Sequence, residues 1–170
     1  MKVKSTTRLI STGPRSLLPA YMKIEQEIKR SIKKTVWPPK SKTFTIYPES
    51  GKKRGEGNGV KPIKTAFLGN LEKLGWKKEY HIVIIPGHRF GNFDAHKKTK
   101  KMRCVVEWET GNISSSHRSV NKMVLAMQKN KIDVGFLVLP SRNLYRFLTD
   151  RVGNFQELKP YFDFWKSTKL

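Results

Sequence analysis

Acidic side chains are scarce in this chain, and three of them have a spacing that suits metal-dependent chemistry. The sequence contains 13 Asp and Glu residues against 35 Lys and Arg residues. Glu107 and Glu109 close a β-type run, and residues two apart in a strand point to the same face of a sheet. A hairpin partner that carries Asp94 would add a third carboxylate. Close carboxylates repel one another unless a cation neutralises them, and hard oxygen ligands favour Mg²⁺ or Ca²⁺.

Three solvated surface acids are the alternative interpretation of the same residues. Two features favour a functional site. Apolar residues flank the two glutamates and indicate that the opposite face of the strand is buried: Val105, Val106 and Trp108. Basic residues separate Asp94 from the glutamates: Lys97, Lys98, Lys100, Lys101 and Arg103. We therefore expect metal-binding carboxylates in a field that attracts phosphate, which is the arrangement that phosphodiester hydrolysis requires.

The overall charge indicates a polyanionic partner. The formal net charge is +22 at pH 7, and nucleic acid is the partner that most directly offsets self-repulsion of this size. An anionic membrane is less favoured, because the sequence has no long basic helix with bulky aromatic residues on its other face. No apolar run is long enough to span a bilayer, and we expect no secretory signal. The single cysteine, Cys104, lies in an apolar run typical of a buried, inert thiol. We expect a cytoplasmic protein.

The periodicity of apolar residues predicts one α/β domain over residues 1–170, with helices flanking a central mixed β-sheet. Residues 1–20 are predicted to form an irregular arm, and residues 51–59 a flexible basic loop. The predicted helices are a segment around Ile24, Ile28 and Ile32 that ends before Pro38, residues 61–74 with Gly75 as C-cap, residues 114–129, and a short helix after Ser141. The predicted strands are residues 44–47, 80–86, a strand begun or flanked by Phe93, 102–109 and 134–139. The runs at 82–86 and 134–139 are typical of strands covered on both faces.

Two blocks of sequence extend the acidic pattern and resemble a known nuclease family. Asp94 followed by Glu107-x-Glu109 at a strand end is similar to the PD-(D/E)xK nuclease core, although this pattern alone is a weak signal. The blocks EWETGNISSSHRSVNK at 107–122 and LTDRVGNF at 148–155 closely resemble the BamHI-type restriction endonucleases. Those enzymes carry Glu rather than Lys at the last acidic position, as this chain does. The resemblance extends from Lys61 to Trp165 and implies a restriction-endonuclease-like PD-(D/E)xK fold.

The resemblance also implies a role for each acidic residue. Asp94 and Glu107 would bind the metal directly, with the backbone carbonyl of Trp108 as a further ligand. Glu109 would position or deprotonate the attacking water. The family has another active-site glutamate before the Asp, and Glu79 is its nearest equivalent here, although the spacing differs. The implied cofactor is Mg²⁺, with Mn²⁺ as a substitute and Ca²⁺ as an ion that binds without supporting cleavage.

A second set of residues matches positions that the family uses to contact DNA. These residues are Asn112, Ser114, Arg118, Asp150 and Arg151, with Lys61 as a candidate for contact with the DNA backbone. The side-chain types fit, because Arg pairs with guanine, Asn pairs with adenine and Asp accepts from cytosine N4. Taken singly, the serines at 114–116 could instead cap a helix, and Asp150 with Arg151 could form a surface ion pair.

The function implied by the resemblance is a type II restriction endonuclease that acts as a homodimer on palindromic double-stranded DNA. The expected site is GGATCC, cut after the first G, and a companion DNA methyltransferase would protect the same site. The segment between Asp94 and Glu107 is shorter than in the family, so we expect fewer peripheral DNA and dimer contacts. Two alternatives remain open, namely a less specific PD-(D/E)xK nuclease of DNA repair or recombination and a non-catalytic DNA-binding protein.

Overall fold

The structure is a computed structural model that describes residues 1–11, 14, 17–46, 60–109, 111–145, 147–148, 152–168 and 170. Its strands are β1 (Lys77–Tyr80), β2 (Phe93–Lys98), β3 (Arg103–Trp108) and β4 (Val134–Val138). Its helices are α1 (Leu18–Lys34), α2 (Val60–Glu72), α3 (Ile113–Gln128), α4 (Arg142–Tyr145), α5 (Phe155–Leu158) and α6 (Phe162–Lys166), with a 3₁₀ turn at Lys159–Tyr161. Within these residues, no helix is long and apolar enough to cross a membrane.

The four strands form one mixed sheet in the order β1-β2-β3-β4. β2 runs antiparallel to both of its neighbours, whereas β4 runs parallel to β3. A parallel pair needs a crossover connection, and α3 supplies it between β3 and β4. The predicted α/β fold with a mixed central sheet and flanking helices is therefore confirmed.

Helices cover both faces of β3 and make it a buried strand. Alternate residues from Cys104 to Trp108 face a cluster formed with α1 and α2, in which the rings of Trp108 and Phe67 lie 4.8 Å apart. Val105 faces the other side of the sheet and packs in a cluster with Met123 of α3. Every residue of β3 after Arg103 is buried. The end of β3 is thus held between two layers of helix.

The predicted helices agree with the structure. The periodic isoleucines of α1 are all buried, and a short helix follows Ser141. Gly75 ends the α2 segment as predicted, because it adopts a φ of 83° and its N–H donates to the carbonyl of Glu72. Cys104 is buried, and burial raises the pKa of its thiol to about 12, which agrees with the prediction of an inert thiol.

The predicted strand at residues 80–86 is wrong. β1 ends at Tyr80, which already pairs with Phe93, the first residue of β2, so the residues that follow have no strand to pair with. The connection from β1 to β2 passes through two glycines with positive φ, Gly87 and Gly91. Ile84 is nevertheless buried in the cluster that contacts α3. A short apolar run can fill a core without forming a strand, and hydrophobic periodicity alone does not separate the two cases.

The strand predicted at 44–47 is wrong over the described residues, and the strand predicted at 134–139 is confirmed in position but not in burial. Phe44 forms an isolated bridge with Trp37 instead of a strand, and Tyr47 lies outside the described residues. β4 lies where a strand was predicted, but its residues are all half-buried rather than covered on both faces. The reason is that β4 lies at the edge of the described sheet. The predicted loop at 51–59 also lies outside the described residues.

Candidate active site

The β2–β3 hairpin brings two of the predicted acids together. The pair Ala95↔Val106 sets the register, so Asp94 and Glu107 are neighbours at the open end of the hairpin. The backbone N–H of Trp108 donates a 2.7 Å hydrogen bond to Asp94 Oδ2. This bond fixes Asp94 against the strand that carries Glu107, and the two carboxylates therefore belong to one site.

Two lysines from the flanking helices neutralise these carboxylates. Lys64 of α2 lies 2.5 Å from Asp94 Oδ1. Lys122 of α3 forms an ion pair with Glu107, and its side chain is only 6% exposed. The Lys122 ammonium also donates to the backbone carbonyl of Asn92 at 2.9 Å. Each helix thus contributes one positive charge to the acidic pair.

Sequence alone does not place these lysines at the site. Each adjoins the buried stripe of its helix, Lys64 next to Ile63 and Lys122 next to Met123. A lysine at the border of an apolar stripe usually extends its ammonium to water, so its spacing carries no sign of an acidic partner. The weak signal available is that a lysine buried in a core requires an anion, and acids are scarce in this chain.

The pKa of Glu107 lies above its ordinary value. Burial is the main cause, and the negative charge of Asp94 acts in the same direction, whereas the ion pair with Lys122 opposes them. The charged carboxylate therefore depends on nearby cations. A buried acid with a second acid beside it is a common feature of functional sites.

Glu109 is held apart from this pair. It is 4% exposed, and both of its carboxylate oxygens accept hydrogen bonds. The backbone N–H of Gly111 donates to Oε1 at 2.6 Å, and the hydroxyl of Ser116 donates to Oε2 at 2.5 Å. Among the residues that the structure describes, no group of three or more His, Cys, Asp and Glu side chains is close enough to hold a metal ion. The structure therefore brings together two of the three predicted acids.

Glu79 lies in the strand next to Asp94. The pairs Lys78↔Ala95 and Tyr80↔Phe93 put it opposite Asp94 in register. Its φ of 52° interrupts the pairing there, and the residue is exposed. Glu79 is thus close to the acidic pair along the sheet but lies at the solvent surface.

Three of the predicted DNA-binding residues lie at the start of α3. Asn112 is the N-cap, and its side chain accepts a 3.1 Å hydrogen bond from the N–H of Ser115. Ser114 and Arg118 are exposed and share one face of the helix, since they are four residues apart. The alternative that the serines cap this helix is wrong, because Asn112 does so. Three further predictions lie outside the described part of the chain: Asp150, Arg151 and the side chain of Lys61.

The basic run between the predicted acids does not surround them. It forms the turn at the opposite end of the hairpin, roughly 15 Å away along the strands. There Lys97 binds the buried Glu27, and Arg103 binds Asp133. The expectation that this run creates the local phosphate-attracting field is therefore wrong. The two helix lysines supply positive charge at the acidic pair instead.

Comparison with known proteins assigns the chain to a family of nucleases. The whole chain, residues 1–170, matches the family model described as restriction endonuclease BamHI. It is 44% identical over 170 residues to the type II restriction enzyme OkrAI of Oceanobacter kriegii, an alignment that covers 100% of this chain and 84% of that enzyme. It is 40% identical over 144 residues to the type II restriction enzyme BamHI of Bacillus amyloliquefaciens. This alignment covers 81% of this chain and 66% of that enzyme. The resemblance seen in the sequence blocks is thereby confirmed.

Proposed function

Because the chain belongs to the BamHI restriction endonuclease family, we propose that it makes a Mg²⁺-dependent cut in both strands of double-stranded DNA at a short palindrome. The proposed site is GGATCC, cut after the first G. Both named relatives are type II restriction enzymes. The net charge of +22 supports a DNA substrate, because phosphate neutralisation dominates the affinity of proteins for DNA.

Asp94 and Glu107 are the proposed metal ligands, with the Trp108 carbonyl as a third. The two carboxylates are hard oxygen donors, and they are paired with two ammonium groups. A site that already accommodates two positive charges beside adjacent carboxylates fits a small divalent cation. When bound, Mg²⁺ stabilises the charge that develops on the phosphate and on the leaving 3′ oxygen. Mn²⁺ is expected to substitute, and Ca²⁺ to bind without supporting cleavage.

The remaining groups of the site orient the reactants. Lys64 and Lys122 hold the two carboxylates in place and present positive charge to the phosphate. Water displaces the 3′ oxygen in line, so no covalent intermediate is needed. Glu109 is proposed to position or deprotonate this water, which requires this buried carboxylate to become accessible to water. Glu79, exposed in the neighbouring strand, is a further proposed active-site residue.

The base-reading residues are proposed to be Asn112, Ser114 and Arg118 of α3, together with Asp150 and Arg151, while Lys61 contacts the DNA backbone. A palindromic site is read most simply by a symmetric homodimer with one active site for each strand. A companion DNA methyltransferase would protect the same sequence in the host. These assignments follow the family, and the exposed face shared by Ser114 and Arg118 supports them.

One observation carries the proposal more than any other. The buried Glu107 near the end of β3 adjoins the half-buried Asp94 of β2, and β3 leads into a helix whose first exposed residues have the types that read bases. A DNA-binding protein without activity needs the second feature but has no use for two adjacent carboxylates, one of them buried, because burial and like charge make them costly to keep charged.

Digestion of plasmid DNA tests the proposal. With Mg²⁺ or Mn²⁺ we expect discrete fragments whose ends carry GATC overhangs at GGATCC sites, whereas Ca²⁺ should support binding alone. Discrete fragments with other ends would contradict the site but not the enzyme class. A smear would favour the less specific nuclease, and DNA binding without cleavage would favour the non-catalytic protein. Sedimentation of the DNA complex tests the dimer, which a monomer that nicks one strand would contradict.

A further inference from the structure

Glu109 follows the end of β3 and contacts the start of α3, the helix that carries three of the predicted base contacts, at two points. Its carboxylate accepts from the N–H of Gly111, which precedes the N-cap, and from the hydroxyl of Ser116 inside the first turns of α3. Asn112 and Ser114 lie between these two attachment points in the chain. The carboxylate therefore bridges the residue before the N-cap and the first turns of α3.

Ser116 is fully buried, and its hydroxyl contacts Glu109. It has 0% exposure, and its hydroxyl donates to Glu109 Oε2 at 2.5 Å. A buried hydroxyl that donates to a carboxylate forms a charge-assisted hydrogen bond, which is stronger than a neutral one. The position of the first turn of α3 is thus tied to the position of Glu109.

Gly153, which follows the predicted base contacts Asp150 and Arg151 in the chain, contacts the same segment. The N–H of Gly153 donates to the carbonyl of Gly111 at 2.8 Å. A Cβ added at Gly153 would lie 2.3 Å from the hydroxyl oxygen of Ser116, a distance at which one of them must move. The backbone at Gly153 therefore lies directly against the hydroxyl that holds Glu109.

We propose that Ser116 and Gly153 are positioning residues that couple base recognition to cleavage by holding Glu109. This proposal rests on the proposed function. In the described arrangement Glu109 is 4% exposed and each of its carboxylate oxygens accepts a hydrogen bond, so its two donors hold it in a buried position away from water. Correct base contacts shift the start of α3 and the segment at Gly153, which loosens the grip of Ser116 on Glu109. Incorrect sequences do not cause this shift and are therefore cut slowly.

The test compares Ser116→Ala with Ser119→Ala, a half-buried serine on the same helix. Cleavage rates are measured on duplexes with the wild-type site and with one base pair changed, and binding to both duplexes is measured without divalent metal. The measured quantity is the cleavage rate on the wild-type site divided by the rate on the changed site. In Ser116→Ala this ratio is expected to fall by about tenfold or more, because Glu109 loses a charge-assisted hydrogen bond that holds it on both duplexes. The ratio of binding affinities should stay within about twofold of wild type, and Ser119→Ala should leave both ratios unchanged.

Gly153→Ala is the second variant, because its added methyl group pushes on the Ser116 hydroxyl. It should lower the cleavage ratio as Ser116→Ala does, and the double variant should be no worse than Ser116→Ala alone. Parallel loss of both cleavage rates, with the ratio preserved in the folded variants, would overturn the coupling and leave Ser116 with a purely structural role. Wild-type protein that cuts no defined sequence would overturn the proposed function itself.

Discussion

The two ends of the β2–β3 hairpin contain the same kind of ion pair in different surroundings. At the turn end, Lys97 binds Glu27 of α1, with side chains that are 19% and 11% exposed. At the open end, Lys122 binds Glu107, with side chains that are 6% and 11% exposed. Residue types, pairing and burial are similar, so none of these distinguishes a structural ion pair from a functional one.

At the turn end, the carboxylate of Glu27 accepts three hydrogen bonds from protein donors. Lys97 donates to both oxygens of Glu27 at 2.9 and 2.7 Å, and the indole N–H of Trp76 donates to one of them at 2.9 Å. Lys97 also donates to the carbonyl of Leu74 at 2.7 Å. One acid is surrounded by donors that join α1, the end of α2 and β2. Such an arrangement fixes helices to a sheet, and the protein's own donors already occupy both carboxylate oxygens.

At the open end, a second acid is the difference. Asp94 adjoins Glu107, and its charge contributes to the raised pKa of Glu107. Two like charges side by side destabilise the folded state, and the two lysines only compensate for them. The adjacent acids, rather than the buried ion pair, therefore distinguish the candidate active site from the turn end of the hairpin.

The largest expected effect comes from removing one charge of the adjacent acids. Asp94→Asn keeps an oxygen that accepts the N–H of Trp108 but removes the negative charge of a proposed metal ligand. Cleavage should fall by at least about a thousandfold, which corresponds to about 4 kcal/mol of lost transition-state stabilisation. Specific DNA binding without metal should persist, because a carboxylate that repels phosphate is gone. Single-turnover cleavage and gel-shift titration measure the two effects.

Asp163→Asn is the matched control, since Asp163 is an exposed acid of α6 that also pairs with a lysine, Lys166. It should cut like wild type. Cleavage by Asp94→Asn within about tenfold of wild type would rule out Asp94 as a metal ligand and, with it, the significance of the adjacent acids.

Local sequence signals predicted most of the fold and the acidic pair of the site, but neither its two lysines nor the separate position of Glu109. The helices follow from apolar periodicity, and the predicted strand at 102–109 with a hairpin partner carrying Asp94 places Asp94 near Glu107. The strand expected at 80–86 failed because forming a strand depends on a partner, which a local pattern does not contain. Lys122 was missed for a similar reason, since only the packing of α3 on the sheet shows that it meets an acid.

The separation of Glu109 from the acidic pair also could not be predicted from residue spacing. Residues two apart share a face only while the strand continues. β3 ends at Trp108, and the chain then turns toward α3, where the N–H of Gly111 and the hydroxyl of Ser116 capture the Glu109 carboxylate. The prediction for the basic run failed for a different reason. The basic residues lie between the acids in sequence, but in the hairpin they form the turn, which is far from the open end where the acids lie.

A medium effect is expected at the turn end of the hairpin. Glu27→Gln keeps an acceptor for the Trp76 indole but leaves Lys97 with a neutral partner in a mostly buried setting. The free energy of unfolding should fall by about 3 kcal/mol, because breaking a buried pair leaves a charge uncompensated. Cleavage per folded molecule should not change. Urea unfolding and the digest at a temperature where the variant is folded check both parts, and a specific loss of cleavage would contradict the contrast between the two ends.

The smallest effect is expected from the exposed ion pair of the same turn. The Arg103 guanidinium donates to both oxygens of Asp133 and holds the pKa of that carboxyl below its ordinary value, while burial opposes this. A carboxyl whose pKa is lowered on folding stabilises the protein above its unfolded pKa, and this contribution is lost as the pH falls through the folded pKa. Asp133→Asn should therefore be less stable than wild type at pH 7, and the gap should close toward pH 3. Urea unfolding at both pH values measures the gap.

The gap should be no more than about 1 kcal/mol, because side chains that are 40% and 37% exposed are screened by water and salt. Added salt should reduce it further, whereas the general repulsion from the net charge of +22 affects both proteins and cancels in their difference. A gap that is the same at pH 7 and pH 3 would mean that the charge of Asp133 does not cause it, since only the charge is lost between these two pH values. A gap as large as that of Glu27→Gln would remove the distinction between buried and exposed pairs at this end of the hairpin.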